Sequence, residues 1–350
     1  MTHLWVRAEP RANEDRVGLT PEGAAELVRA GLRVTVEESG TRAIPIDGYR
    51  DAGAVIAPEG SWPHAPADAI IFGLKELPDD GTPLGHRHIM FGHAYKGQAD
   101  GRRLLERFKA GGGTLYDLEY LVDDAGKRVA AFGYWAGFAG AAVSLMAWAA
   151  QQKGAPCPPA RSYPDADALA EDVRTQLRDA TASFPTVLVI GAKGRVGSGA
   201  SDFCTAVRAP VTRWDMAETA RGGPFPEILH HHLFLNCILA APGCPVFVPA
   251  DANTAPRRLT VIGDIACDPT SDFSPVKVYD RTTTWDAPVL RVHASPPLDV
   301  MAIDNLPSML PVEASQDYAA QLLPTLRALP RIDTDPVWAR ARETFLAHRP

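Results

Sequence analysis

The stretch TVLVIGAKGRVGSGA, residues 186–200, decides the fold class: a short strand-like run passes straight into a glycine-rich turn and then into a helical segment. A dinucleotide needs such a turn, whose backbone comes close to the pyrophosphate while N–H groups and the positive helix end point at it. Gly191, Gly194 and Gly197 occupy the turn. Their spacing, GxxGxxG, is one residue longer before the second glycine than the common fingerprint, so context carries more weight than spacing. That context includes VTRWD, a second strand-like run whose last residue, Asp215, lies 18 residues after Gly197. A carboxylate there accepts both ribose hydroxyls and repels a 2′-phosphate, which favours NAD over NADP, although Arg213 works the other way. The competing reading is a glycine-rich packing turn followed by an unrelated acidic residue.

Outward from this loop, short apolar runs alternate with helical patterns, the signature of βα units around a mostly parallel sheet, and the chain reads as α/β. Near the N-terminus, strands are expected at 4–7, 33–37, 69–74 and 89–93, and helices at 21–30 and 101–110, the first opened by Thr20 as N-cap and Pro21 in the first turn. The Pro-rich QQKGAPCPPARSYPDAD and a polar helix from about 165 to 182 precede the glycine loop. Beyond it, LFLNCIL, PVFV, LTVIGDI and VLRV supply strands for a second doubly wound sheet. Two closing helices are expected at about 315–329, kinked at Pro324, and at 336–348.

With 350 residues the chain is long enough for two domains of roughly 100–200 residues each. Its 46% hydrophobic and 22% charged content is ordinary for a globular chain and excludes long disorder. A formal charge of -7 leaves phosphate-backbone binding to a local patch, so nucleic acid is not an expected partner. Residues 130–150, AAFGYWAGFAGAAVSLMAWAA, carry no formal charge over the length of a bilayer span. They are mostly Ala and Gly, with few of the Leu, Ile and Val residues that favour insertion, so a buried small-residue helix is expected and no membrane partner. The first fifteen residues include Arg7, Glu9, Arg11, Glu14 and Asp15, and no signal peptide is expected. Five cysteines without a CxxC pair suggest a reducing, cytoplasmic setting, with Cys237 and Cys244 as buried packing residues. The triplet His230, His231 and His232 has no zinc-site spacing around it, and strand alternation separates His86 and His88 from His93, so no metal site is expected.

Three N-terminal segments place charges at element ends. NEDRVGLTP presents Arg16, IIFGLKELP presents Lys75 and Glu76, and HIMFGHAYKGQ presents His93 and Lys96. An arginine clamps a carboxylate bidentately, a lysine beside a glutamate can be tuned as a base, and a histidine titrates near neutrality. Singly, each is most simply a solvated cap; together with a nucleotide fold they point to an amino-acid or keto-acid site.

The strings RAEPRANEDRVGLTP, GLKELP, HIMFGHAYKGQ, GGGTLYDLEYL, RVAAFGYWAGFAGAA, VIGAKGRVGSGA, RWDMAETARGGPF and IDNLPSMLPVEAS, in this order from Arg7 to Ser315, resemble the lysine-forming saccharopine dehydrogenases of the alanine dehydrogenase and transhydrogenase superfamily. The resemblance implies two Rossmann-like doubly wound domains with mostly parallel sheets and an active site in the cleft between them. A substrate domain of residues 1–134 plus 318–350 would enclose a dinucleotide-binding domain of residues 135–317. It also implies the reaction: saccharopine, a secondary amine joining lysine to a glutarate unit, is oxidised by NAD to an imine that water splits into lysine and 2-oxoglutarate. By resemblance Lys75 is the base for the amine. A free lysine has a pKa of about 10.4, and working near 7–8 takes a shift of about 3 units, roughly 4 kcal/mol, from burial and neighbouring cations such as Lys96. His93 is the matching acid/base for imine hydrolysis. Glu76 and Glu119 match acidic residues that moderate the site's charge, Arg16 and Arg128 match anchors for substrate carboxylates, and Asp304 matches an acidic residue reaching in from the cofactor domain. Arg195, Val196 and Asp215 fall in the cofactor motifs, and the NCIL run of Asn236 and Cys237 falls near a ribose.

Departures bear on specificity. Asn305 stands where IDHLP would have histidine, Val312 where LPREAS would have arginine, and Val196 where cysteine is frequent. They keep two further readings open: another secondary-amine, opine-type or alanine-type amino-acid dehydrogenase, and a noncatalytic nucleotide-sensing module. Small molecules are the expected partners, and a monomer or small homo-oligomer the expected state.

Overall fold

The computed structural model describes residues 1–96, 99–180 and 183–350, and the chain divides into two compact units, Met1–Ala131 with Pro311–Pro350, and Phe132–Leu310. The N-terminal part of the first unit runs β1 (His3–Val6), α1 (Pro21–Arg29), β2 (Arg33–Glu37), α2 (Ile46–Asp51), β3 (Val55–Ala57), β4 (Ile70–Phe72), β5 (Arg87–Met90), α3 (Ala99–Gly111) and β6 (Thr114–Asp117). Its six strands form one parallel sheet in the order β3-β2-β1-β4-β5-β6. The order reverses direction between β1 and β4, and all the strands point their carboxyl ends the same way, the arrangement that opens a ligand crevice at that edge. Helix α1 starts where Thr20 Oγ1 accepts from the Gly23 N–H at 3.3 Å, with Pro21 in the first turn.

One strand expectation needs correction here, and two strands were not expected. The strand expected at 89–93 is Arg87–Met90, because Gly92 donates its N–H to the Asp117 carboxylate and His93 takes φ +47°, which no strand tolerates. The three-residue β3 and the strand β6, which directly follows Gly111, Gly112 and Gly113, carry too little apolar pattern to stand out.

The second unit runs α4 (Gly133–Gln152), α5 (Ala166–Ala180), β7 (Val187–Ile190), α6 (Arg195–Ala206), β8 (Val211–Trp214), α7 (Met216–Thr219), β9 (Leu233–Asn236), β10 (Val261–Asp264), β11 (Leu290–His293) and β12 (Leu298–Met301). The sheet order is β11-β12-β10-β9-β7-β8, parallel except for the edge pair β11 and β12. Val187, Val189, Leu233, Leu235 and Val261 face a core shared with α4, α5 and α6, while Leu188, Ile190, Phe234 and Ile262 face Phe225, Ile228 and Phe247 on looser turns. The uncharged stretch is α4, buried at every position from Gly137 to Ala150, as a helix without a polar stripe must be. Among the described residues no helix is long and apolar enough to cross a membrane. PVFV makes no strand: Pro245 and Pro249 bracket it, and Val248 forms one isolated bridge to Val276. The helix expected to reach 182 is assigned to Ala180; Thr181 and Ala182 lie outside the described residues, as do Gly97 and Gln98.

The chain then returns to the first unit as α8 (Pro311–Leu326) and α9 (Pro336–His348). Trp338 packs edge-on against Tyr116 of β6, and Phe345 against Phe108 of α3. The unit boundaries lie at 131/132 and 310/311 rather than 134/135 and 317/318, because α4 and α8 are each undivided and the chain changes unit at their first turns.

Candidate active site

In the second unit β7 is followed by Gly191, held at φ +87° by N–H bonds from Gly191 and Ala192 to the Trp214 carbonyl, both 3.0 Å. A Cβ on Gly191 would stand 2.6 Å from Ile238 Cγ2, and one on Gly197 would overlap the Gly191 carbonyl. Gly194 is the N-cap of α6 and offers no side chain to close off its first turn, which Arg195 and half-buried Val196 begin. The loop thus presents bare backbone at the start of a twelve-residue helix, which fits a pyrophosphate. Asp215 lies against the same loop: Oδ2 accepts the Lys193 N–H at 2.8 Å and Oδ1 the Met216 N–H at 2.9 Å, and these bonds hold its carboxyl below the usual range.

At the ends of the paired strands β9 and β10, the fully buried Asn236 donates Nδ2 to Asp264 Oδ1 at 2.9 Å, and Tyr279 Oη donates to Asp264 Oδ2 at 2.8 Å. Among the described residues, Asn236 Oδ1 is a buried acceptor with no hydrogen-bond partner. Burial pushes the Cys237 thiol far up, so it stays neutral and inert; Cys244 is half-buried rather than buried. Asp304 is exposed on the turn after β12, and the neighbouring Asn305 accepts from Trp285 Nε1 at 2.9 Å.

In the first unit three adjacent strands deliver the charged residues from their carboxyl ends. Beyond β4, Lys75 is 9% exposed, and its backbone is gripped by side chains from the end of β1. Glu9 accepts the Leu74 N–H at 2.6 Å and the Lys75 N–H at 2.9 Å, and Arg7 donates to the Lys75 carbonyl. Glu76 sits 3.6 Å from Arg11. Beyond β5, the exposed His93 ring stacks on Phe91 and lines an open pocket with Glu76, Leu77 and Arg103. Beyond β6, Glu119 Oε1 receives both Lys96 Nζ at 3.0 Å and Arg128 Nη2 at 2.6 Å. Burial disfavours the charge on Glu119, yet the Lys96 hydrogen bond and the charges of Arg128, Lys96 and His93 outweigh it and hold the carboxyl below its ordinary range.

Arg16 is buried, and its fork closes on Glu14, Nε to Oε1 at 2.6 Å and Nη2 to Oε2 at 2.5 Å, in a small cavity also lined by Arg7, Glu9 and Gly73. The carboxylate expected in its fork is therefore one of the chain's own. The structure gathers Lys75, Glu76, His93, Lys96, Glu119 and Arg128 at one sheet edge of the first unit; Asp304 and the glycine-loop residues belong to the second.

The family model described as alanine dehydrogenase/PNT, N-terminal domain, matches residues 5–139. Saccharopine dehydrogenase [NAD(+), L-lysine-forming] of Schizosaccharomyces pombe is 44% identical, covering 98% of this chain and 97% of its own length. The protein of the same name from Yarrowia lipolytica is 46% identical, over 99% and 97%. The chain belongs to the L-lysine-forming saccharopine dehydrogenase family. An L-alanine dehydrogenase structure, 18% identical with a TM-score of 0.69 over 99% of this chain and 100% of its own, shares the fold.

The residues alone gave no role to four that the structure brings to this edge. Arg7 and Glu9 look like ordinary strand-end charges, yet both are spent on the backbone of Lys75. Asp117 accepts the Gly92 N–H at 3.2 Å and the Glu119 N–H at 2.9 Å, tying the His93 segment to the Glu119 segment. Tyr318 of α8 is fully buried, and its phenol is raised by burial while feeling Arg16, Asp117 and Arg128. Only Asp117 carried a signal, as an Asp opening a turn two residues before Glu119.

Proposed function

We propose that the protein catalyses the reversible oxidative deamination of saccharopine to L-lysine and 2-oxoglutarate with NAD. The observation that carries this reading is that Lys75, His93 and Glu119 leave the carboxyl ends of the adjacent parallel strands β4, β5 and β6, where an α/β sheet opens its ligand crevice. The full-length kinship to NAD(+), L-lysine-forming enzymes supports the substrate and cofactor. Bound NAD supplies the acceptor for the hydride that leaves the glutaryl Cα, and Asp215 beside the glycine loop favours it over a 2′-phosphorylated dinucleotide.

Lys75 takes the proton of the secondary amine, since only the neutral amine has the lone pair that becomes the imine bond. His93 then takes a proton from water as its oxygen adds to the imine carbon. It returns that proton to the nitrogen and takes the hydroxyl proton as the C–N bond of the carbinolamine breaks, releasing lysine and leaving the ketone of 2-oxoglutarate. Two proton transfers at different stages need two groups with different basicities, and a lysine and a histidine supply them. Glu119, held ionised between Lys96 and Arg128, offsets the positive charge around them. Arg128 is assigned to a carboxylate of the substrate, whereas Arg16 stays closed on Glu14. Arg128 is half-buried, so it can shift from Glu119 toward an incoming carboxylate.

Purified protein should oxidise NADH only when lysine and 2-oxoglutarate are both present. Turnover with pyruvate and ammonia but not with that pair would replace this reading with an alanine-dehydrogenase type. Binding of NADH without turnover on any amino-acid and oxo-acid pair would favour a nucleotide sensor. Lys75→Met should lower saccharopine oxidation at neutral pH by about 10²-fold or more while NADH binding persists. Near-normal turnover removes Lys75 from the role of base.

A further inference from the structure

β4 ends at Phe72, and once the Gly73 N–H has donated to the Ile89 carbonyl at 3.0 Å the backbone leaves the ordinary ladder. The Leu74 carbonyl still accepts from the Phe91 N–H at 2.9 Å. The other three polar groups of Leu74 and Lys75 are taken by two side chains: both N–H groups by the carboxylate of Glu9, and the Lys75 carbonyl by the guanidinium of Arg7. Arg7 and Glu9 also pair with each other at 3.3 Å, with side chains 1% and 8% exposed. Their burial is possible because residue 73 is glycine: a Cβ there would overlap the Arg7 guanidinium.

A buried ion pair of this kind is weak evidence for stability, since the desolvation of both charges opposes their attraction. What it does supply is one fixed position for the peptide it grips. Lys75 is itself buried, so the reach of its amine is set by that backbone. We propose that Arg7 and Glu9 are positioning residues for the reaction, holding Lys75 at its N–H and its C=O so that its amine meets the substrate nitrogen. The inference rests on the reading of Lys75 as the base and adds the device that aims it.

The test compares wild type with Glu9→Gln, Gly73→Ala, Lys75→Met and the double variant Glu9→Gln/Lys75→Met. Rates of saccharopine oxidation are normalised to active sites counted by NADH titration. In Glu9→Gln the amide oxygen replaces only one of the two carboxylate oxygens that hold these N–H groups, while its NH2 faces the other N–H; Gly73→Ala displaces Arg7 instead and leaves Glu9 unchanged. Each single change should lower kcat about 10- to 100-fold, with the KM for saccharopine within about threefold and NADH binding unchanged. In the Lys75→Met background, Glu9→Gln should remove nothing further from the residual rate, because the group it aims is gone. The positioning role is overturned if Glu9→Gln and Gly73→Ala stay within twofold of wild type, if KM alone moves, or if the double variant loses the same factor again. Near-normal turnover in Lys75→Met overturns the base assignment first, and the positioning role with it.

Discussion

Asp117 shows how a single residue at this site resists explanation by stability alone. It is fully buried, and burial raises its carboxyl from the usual 3.8 to about 6. Glu119 adds to the rise, while the N–H bonds from Glu119 and Gly92 and the charge of Arg128 oppose it. Its folded pKa exceeds its unfolded one, so its contribution to stability is full below pH 3.8 and is lost as pH rises through 6. At neutral pH the fold therefore carries a cost of about 2–3 kcal/mol for this one charge. Asp117→Asn removes the charge and keeps an acceptor for one N–H. Its stability relative to wild type should thus improve from pH 5 to pH 7.5, read as a widening gap between urea midpoints. A gap that stays constant would remove charge burial as the cause. Such residues escape a reading of the sequence for a plain reason. Asp117, Arg7 and Glu9 act on backbone groups 25 to 68 residues away, so no spacing links them to His93 or Lys75. Lys75 and His93 were legible as charges near strand ends, whereas Glu119 came only from the resemblance because β6 carries little apolar pattern; that Arg16 closes on Glu14 needs the folded turn.

At the scale of elements, the glycine loop depends on two helices whose backbones touch. A Cβ on Gly137 of α4 would overlap the Val196 carbonyl in the first turn of α6, and one on Gly199 of α6 would overlap the Tyr134 carbonyl of α4. Backbone cannot yield as a flexible side chain can, so Gly137→Ala must push α6 away from α4. The expected cost is about 1–3 kcal/mol or more. Because α6 begins at the glycine turn, NADH affinity should fall together with the melting temperature. A variant that melts earlier but binds NADH normally would separate the helix contact from the loop. These elements were readable because their signals are local: a long small-residue run, glycines after an apolar run, and Asp335 and Pro336 opening α9 where its side chain accepts the Val337 N–H at 3.0 Å. PVFV misled because apolar content alone does not show that flanking prolines have removed ladder donors. The strand end at His93 misled because a carboxylate from β6 pulls Gly92 out of line.

For the whole molecule, the chain path sets which pieces can stand alone. Residues Phe132–Leu310 form a continuous unit with apolar cores on both faces of its sheet, whereas the first unit is assembled from two distant segments. α9 contributes Trp338, fully buried against Tyr116 with its Nε1 donating to the Thr325 carbonyl at 3.1 Å, and Phe345 against Phe108. Losing a buried Trp or Phe side chain costs about 3–5 kcal/mol, so losing both approaches the whole stability of an ordinary domain, about 5–15 kcal/mol. A chain ending at Leu310 also loses α8, and with it Tyr318 and the Ser315 Oγ that accepts the Val17 N–H at 2.9 Å just after Arg16. Expressed alone, residues 132–310 should unfold cooperatively and bind NADH. The chain truncated after 310 should keep that binding but lose the first unit, seen as rapid proteolysis confined to residues 1–131 and no turnover. Protease resistance of residues 1–131 in the truncated chain would mean that α8 and α9 merely decorate a unit that folds without them.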